Sequence, residues 1–142
     1  MAEIIGHGIW TFYVADGWES LDPGRLGKWM VPVDDESDAS ELCEAAVDEG
    51  IVLEAKHETE PEAAAGGVTC FLYLHGDDDE GHRRLAAWLL ANGLVPRSAD
   101  GALEDLEFKH DRQTRAGQYG DAFVPDVTLG QFVDLATGEM VG

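Results

Sequence analysis

VTCFLYLH, residues 68–75, is apolar on both of its alternating sets of side chains. A strand with one wet face alternates apolar and polar residues; one that is apolar throughout is covered on both sides. Residues 68–75 therefore belong at the centre of a sheet, and the neighbouring segments must supply its partners and its cover.

Moving towards the N-terminus, IVLEAKH (51–57) reads as a strand, joined to 68–75 by the exposed connection ETEPEAAAGG (58–67). Ser37–Glu49 reads as a helix. Asp38 is its expected cap, with Glu41 as the capping-box partner, a stripe of Leu42, Cys43, Ala46 and Val47, and a stop at Gly50. KWMVPV (28–33) is a strand, with Pro32 marking its end or an edge. The aromatic, β-branched GIWTFYVA (8–15) is another, and DGWESLDPGRLG between them is a loop. Moving towards the C-terminus, GDDD opens a helix that runs to about Asn92, buries Leu85, Trp88, Leu89 and, at the edge, Leu90, and ends at Gly93. LEDLEFKH (103–110) and TLGQFVDL (128–135) complete the strands. Strand, strand, helix, strand, strand, helix, strand, strand is an α+β order: an antiparallel or mixed sheet with its helices on one face.

The chain has 142 residues, which fits a single domain, and a hydrophobic fraction of 44 %, enough for a core. Nine Lys and Arg stand against 29 Asp and Glu, for a formal net charge of -20. Such a surface is a poor partner for duplex nucleic acid, whose binding rests on cations that neutralise phosphates. Like charge at this density also repels itself in dilute buffer, and roughly 1 M salt, with a Debye length of about 3 Å, screens it. Scarce lysine with abundant acid is the composition of a halophile's cytoplasmic protein; an ordinary acidic protein is the alternative. MAEIIGHGIW lacks the basic start of a signal peptide, and no apolar run is long enough for a membrane span, so a cytoplasmic location without membrane contact is expected. Cys43 and Cys70 read as buried thiols. His75 and His82 fit no zinc spacing, DDDEG lacks alternating calcium ligands, and no P-loop, nucleotide fingerprint or nucleophile elbow occurs, so neither metal nor cofactor is expected.

Strand alternation sorts the three lysines. Lys28 and Met30 oppose Trp29, Val31 and Val33; Glu54 and Lys56 oppose Ile51, Leu53, Ala55 and His57; Glu107 and Lys109 oppose Leu106, Phe108 and His110. If the apolar sets meet the helices, all three lysines share the open face of the sheet. With Arg112 and Arg115 from the following turn they would form a cradle for phosphate or carboxylate. Cross-strand pairs with Glu54 and Glu107 explain Lys56 and Lys109 equally well. Arg83 and Arg84 are read as pairing with Asp77–Glu80 along the second helix. His57 and His110, each adjacent to a lysine, should face the core edge. Trp18, in a loop, is either a stacking residue for a base or ring or part of the core.

GKWM (27–30), AKH (55–57) and FKHDRQTRAGQYG (108–120), with Thr114, Gly117 and Tyr119 in a T-x-x-G-x-Y pattern, resemble a family that includes the basophilic leukaemia-expressed protein of animals. Its microbial members carry the label phosphothreonine lyase domain. The resemblance runs from about residue 18 onward. It implies a fold similar to the cap-binding translation initiation factor: a curved, mainly antiparallel sheet, helices on its convex side and ligand on its concave side. It also implies a possible β-elimination chemistry, with Lys56 or Lys109 as base, His57 or His110 as acid, and Arg112 and Arg115 clamping phosphate. Three functional expectations stand. The first is a module binding a phosphorylated ligand, nucleotide or phosphopeptide, through Lys28, Lys56, Lys109, Arg112, Arg115, Tyr119 and Trp18. The second is the lyase. The third is an interaction protein whose lysines are structural. The oligomeric state is left open.

Overall fold

In the computed structural model, residues 2–59, 67–117 and 125–141 are described. Among them, β1 (Glu3–His7), β2 (Trp10–Val14), β3 (Leu26–Val33), β4 (Glu54–Glu58), β5 (Val68–His75), β6 (Glu107–His110) and β7 (Val127–Thr128) form one sheet in the order β1-β2-β4-β5-β3-β6-β7. Every pairing is antiparallel, and the sheet is curved and unclosed. VTCFLYLH is β5, the middle strand, as its two apolar faces require.

Two helices, α1 (Glu36–Asp48) and α2 (Asp79–Ala91), cover one face. They bury Leu42, Cys43, Ala46 and Val47 from α1 and Leu85, Trp88 and Leu89 from α2 against Val31, Ala55, Cys70, Leu72 and Phe108. The centre of this layer is Trp29, whose ring meets His82, Phe108 and Phe132 edge-on at 5.7, 5.7 and 6.3 Å. Both cysteines are buried and reduced. No helix among the described residues is long and apolar enough to cross a membrane.

Several boundaries differ from the expectation. The cap of α1 is Asp35, whose carboxylate accepts from the Asp38 N–H at 2.9 Å; Asp38 itself lies in the first turn. β4 starts at Glu54 because Ile51 and Val52 are held by the end of α1, both amides donating to the Ala46 carbonyl, at 2.9 and 3.3 Å. β6 starts only at Glu107, since Leu103 and Leu106 fill the core from irregular backbone. Of TLGQFVDL only Thr128 is in a strand; Leu129–Gln131 is a 3-10 turn that places Leu129, Phe132 and Val133 in the core. β1 was not anticipated at all. It folds back on β2 through Gly8–Ile9, where Gly8 takes φ +62°, a left-handed value that glycine adopts without strain. Arg84 does not pair along its helix as Arg83 does with Asp79; it donates to the Ile51 carbonyl at 3.2 Å.

Candidate functional site

Register assembles the open face. Lys28 of β3 lies opposite Tyr73 of β5 on one side and Lys109 of β6 on the other. Lys56 of β4 lies opposite Phe71 of β5 and Phe12 of β2. Glu54 lies opposite Tyr73 and Val14, and Glu107 opposite Thr128. In these pairings neither Lys56 nor Lys109 stands directly across from a glutamate. Instead Lys28 and Lys109 are direct neighbours of like charge, a destabilising arrangement in a sheet.

Aromatic rings fill the space around the ammonium groups. Lys56 Nζ is 4.0 Å from the Trp10 ring centroid and 5.6–5.7 Å from those of Phe12, Phe71 and Tyr73. Lys28 Nζ is 5.7 and 5.8 Å from the same Phe71 and Tyr73 rings. These are cation–π distances, and they hold the two ammonium groups over one shared aromatic floor. Lys109 is buried.

Three acids share this face with the lysines: Asp111, Glu54 and Glu107. Asp111 opens α3 (Asp111–Arg115), and its Oδ1, shielded from solvent, lies 3.5 Å from Lys28 Nζ. Glu54 lies on the same face. Burial, then the Lys28 charge, lowers the pKa of Lys56 below the usual lysine value, and the same two causes in the same order lower Lys109. Burial raises the Glu54 carboxyl, with Lys56 opposing the rise. The Tyr73 phenol is pushed up by burial, then by the Asp111 and Glu54 charges, and stays protonated. The face thus gathers all three lysines of a strongly anionic chain, interleaved with Asp111, Glu54 and Glu107, on a partly dry and aromatic surface.

Other expected site residues lie elsewhere. His57 points to the helix side, as alternation demands: Nδ1 donates to the Glu58 carbonyl at 2.9 Å, and Nε2 lies 3.0 Å from the Tyr13 hydroxyl and 3.3 Å from Ser40 Oγ. His110 likewise faces away from Lys109, edge-on to Phe108 and 2.9 Å from Asp126 Oδ1. Arg112 is 3.7 Å from Asp126 and, with His110, Arg25 and Asp77, lines a separate cleft of about 330 Å³. The 100° step per helical residue explains this: α3 turns Asp111 over the lysines and Arg112 away from them. The single cradle of lysines and arginines is therefore divided. Tyr119 and the side chain of Arg115 lie outside the described residues. Trp18 is half-buried in a 3-10 turn, Trp18–Ser20; the indole at the lysines is Trp10.

Trp10, Phe12, Phe71, Tyr73 and Asp111 are site residues that the sequence did not single out. Alternation in WTFYV and in VTCFLYLH already puts each pair of rings on one face. What it cannot supply is that β2 pairs with β4, more than forty residues away. No protein-family model matches the chain, and a search of curated proteins finds no match.

Proposed function

We propose that the open face of the sheet binds a phosphorylated ligand, with its phosphate between Lys28, Lys56 and Lys109 and its less polar part against Trp10, Phe12, Phe71 and Tyr73. The observation that carries this reading is the direct pairing of Lys28 with Lys109. Two like charges opposite one another, both largely withdrawn from water beside Asp111, make a place where a bound anion would be favoured. The aromatic floor favours a ligand with a flat group, and so a nucleotide over a phosphopeptide. Calorimetric titration with a nucleoside triphosphate and with a phosphothreonine peptide tests it. Saturable, salt-sensitive binding without turnover is expected, lost in the Lys28→Ala/Lys109→Ala double variant. Absence of binding at low salt, or binding indifferent to both lysines, would refute the proposal.

The lowered pKa of Lys56 favours a second reading, the β-elimination suggested by the resemblance to the phosphothreonine lyase domain family. A neutral lysine would take the Cα proton while the Cβ–O bond breaks and phosphate leaves. With His57 and His110 turned to the helix side, the protonated Tyr73 phenol is the better acid. Dehydrated product in a mass spectrum, absent with Lys56→Ala, would establish this chemistry over simple binding.

A further inference from the structure

We propose that β1 is a dimerisation strand, pairing antiparallel with β1 of a second copy of this chain. β1 ends the sheet, and all five of its residues are exposed. Ile4 is 55 % exposed, Ile5 36 % and the adjoining Ile9 59 %; these are three of the most exposed large apolar side chains described. Soluble proteins normally blunt such an edge with lysine, proline or a covering loop. Glu3–His7 contains no lysine or proline, and it is exposed throughout, with no strand beyond it among the described residues.

The hydrogen bonds fix which peptide groups are unpaired. On β2, the odd positions bond towards β4: Ala15 N–H donates to the Leu53 carbonyl at 2.9 Å, and the Ile9 carbonyl accepts from Thr59. Trp10, Phe12 and Val14 therefore bond towards β1, through His7, Ile5 and Glu3. The N–H and C=O groups of Ile4 and Gly6 are left pointing outward.

Those outward groups are self-complementary. A two-fold axis through Ile5 sets Ile4 opposite Gly6 of the second copy, where their peptide groups can bond, and Ile5 opposite Ile5. It also sets Glu3 opposite His7, twice, so that each imidazole N–H meets a carboxylate on the open-face side. Two-fold registers centred on Ile4 or Gly6 do not bring Glu3 and His7 together. The electrostatics point to the same place. Residues 1–15 hold one of the chain's Asp, Glu, Lys and Arg residues, Glu3, whereas the whole chain carries a net charge of -20. Two copies meet with least repulsion at this edge. Facing residues of an antiparallel pair project to the same side, so the lysine faces of both copies would lie on one surface.

Light scattering across a concentration series at pH 7, in low salt and in about 1 M KCl, tests the pairing. The wild-type chain should form a dimer that is tighter in high salt. Gly6→Pro removes an outward N–H, and beyond its chain neighbours no atom lies within 4 Å of the position of its Cβ, so it should give a folded monomer. Ile5→Lys should do the same by placing two ammonium groups opposite each other. Glu3→Lys should weaken the dimer about tenfold, and Glu3→Lys/His7→Glu should restore it. Ile9→Ser, outside the strand, should leave it intact. A wild-type monomer in both salts, or a dimer that survives Ile5→Lys or ignores the charge swap, would overturn the proposal.

Discussion

Lys28 is the residue on which the site turns. It faces Lys109 across the sheet, contributes to the lowered pKa of both other lysines, and holds Asp111 at 3.5 Å. Lys28→Met should therefore raise the pKa values of Lys56 and Lys109, seen as slower modification of both by an amine reagent at fixed pH. It should also take the Lys28 ammonium from the shielded Asp111 carboxylate, a cost of roughly 1–3 kcal/mol, against which stands the relief of the Lys28–Lys109 repulsion. His82 makes a second residue-scale prediction. Its Nδ1 accepts from the Trp29 indole at 3.0 Å and its Nε2 donates to the Gly76 carbonyl at 2.9 Å, which requires the neutral ring. Burial, the largest cause, lowers its pKa. The unfolded chain then takes up the proton first as pH falls through about 6.5. The stability that neutral His82 contributes is complete above that pH and lost progressively below it. Melting the wild type and His82→Gln from pH 7 to 5 should show the wild type losing stability more steeply. Alternation alone predicted the sides taken by the lysines and by His57 and His110. The identity of the site's indole was not legible: Trp18 sits in a suggestive loop, while Trp10 reaches the lysines only through a pairing between distant strands.

At the scale of elements, strong periodicity was readable and weak periodicity was not. Both long helices and the central strand announce themselves, because burial of a stripe or of two faces leaves a dense apolar pattern. β1 does not: EIIGH is exposed throughout, so no core selects its residues, and only its turn to β2 defines it. Helix starts are ambiguous where acids crowd together. Asp34, Asp35, Glu36 and Asp38 all offer capping chemistry, and the extended backbone of Asp35, with φ -149°, decides among them. Asp35→Ala should cost about 1 kcal/mol in chemical denaturation. Asp38→Ala, in the first turn, should cost a few tenths through the helix dipole alone. Equal losses from the two substitutions would reject Asp35 as the cap.

The whole molecule is governed by a charge that sequence states outright and structure distributes. A net charge of -20 stands on a chain whose only three lysines gather on one face. In roughly 1 M salt the Debye length contracts to about 3 Å, so repulsion between exposed acids is strongly screened. Contacts inside the aromatic floor, being partly dry, are screened far less. The melting temperature should therefore rise between low and molar KCl. Because the proposed dimer would also tighten in salt and so raise the melting temperature by mass action, the measurement belongs on the Gly6→Pro monomer as well as the wild type. A rise in both isolates relief of repulsion within one chain. A rise in the wild type alone assigns the effect to association across β1, and a flat response in both removes the halophilic reading.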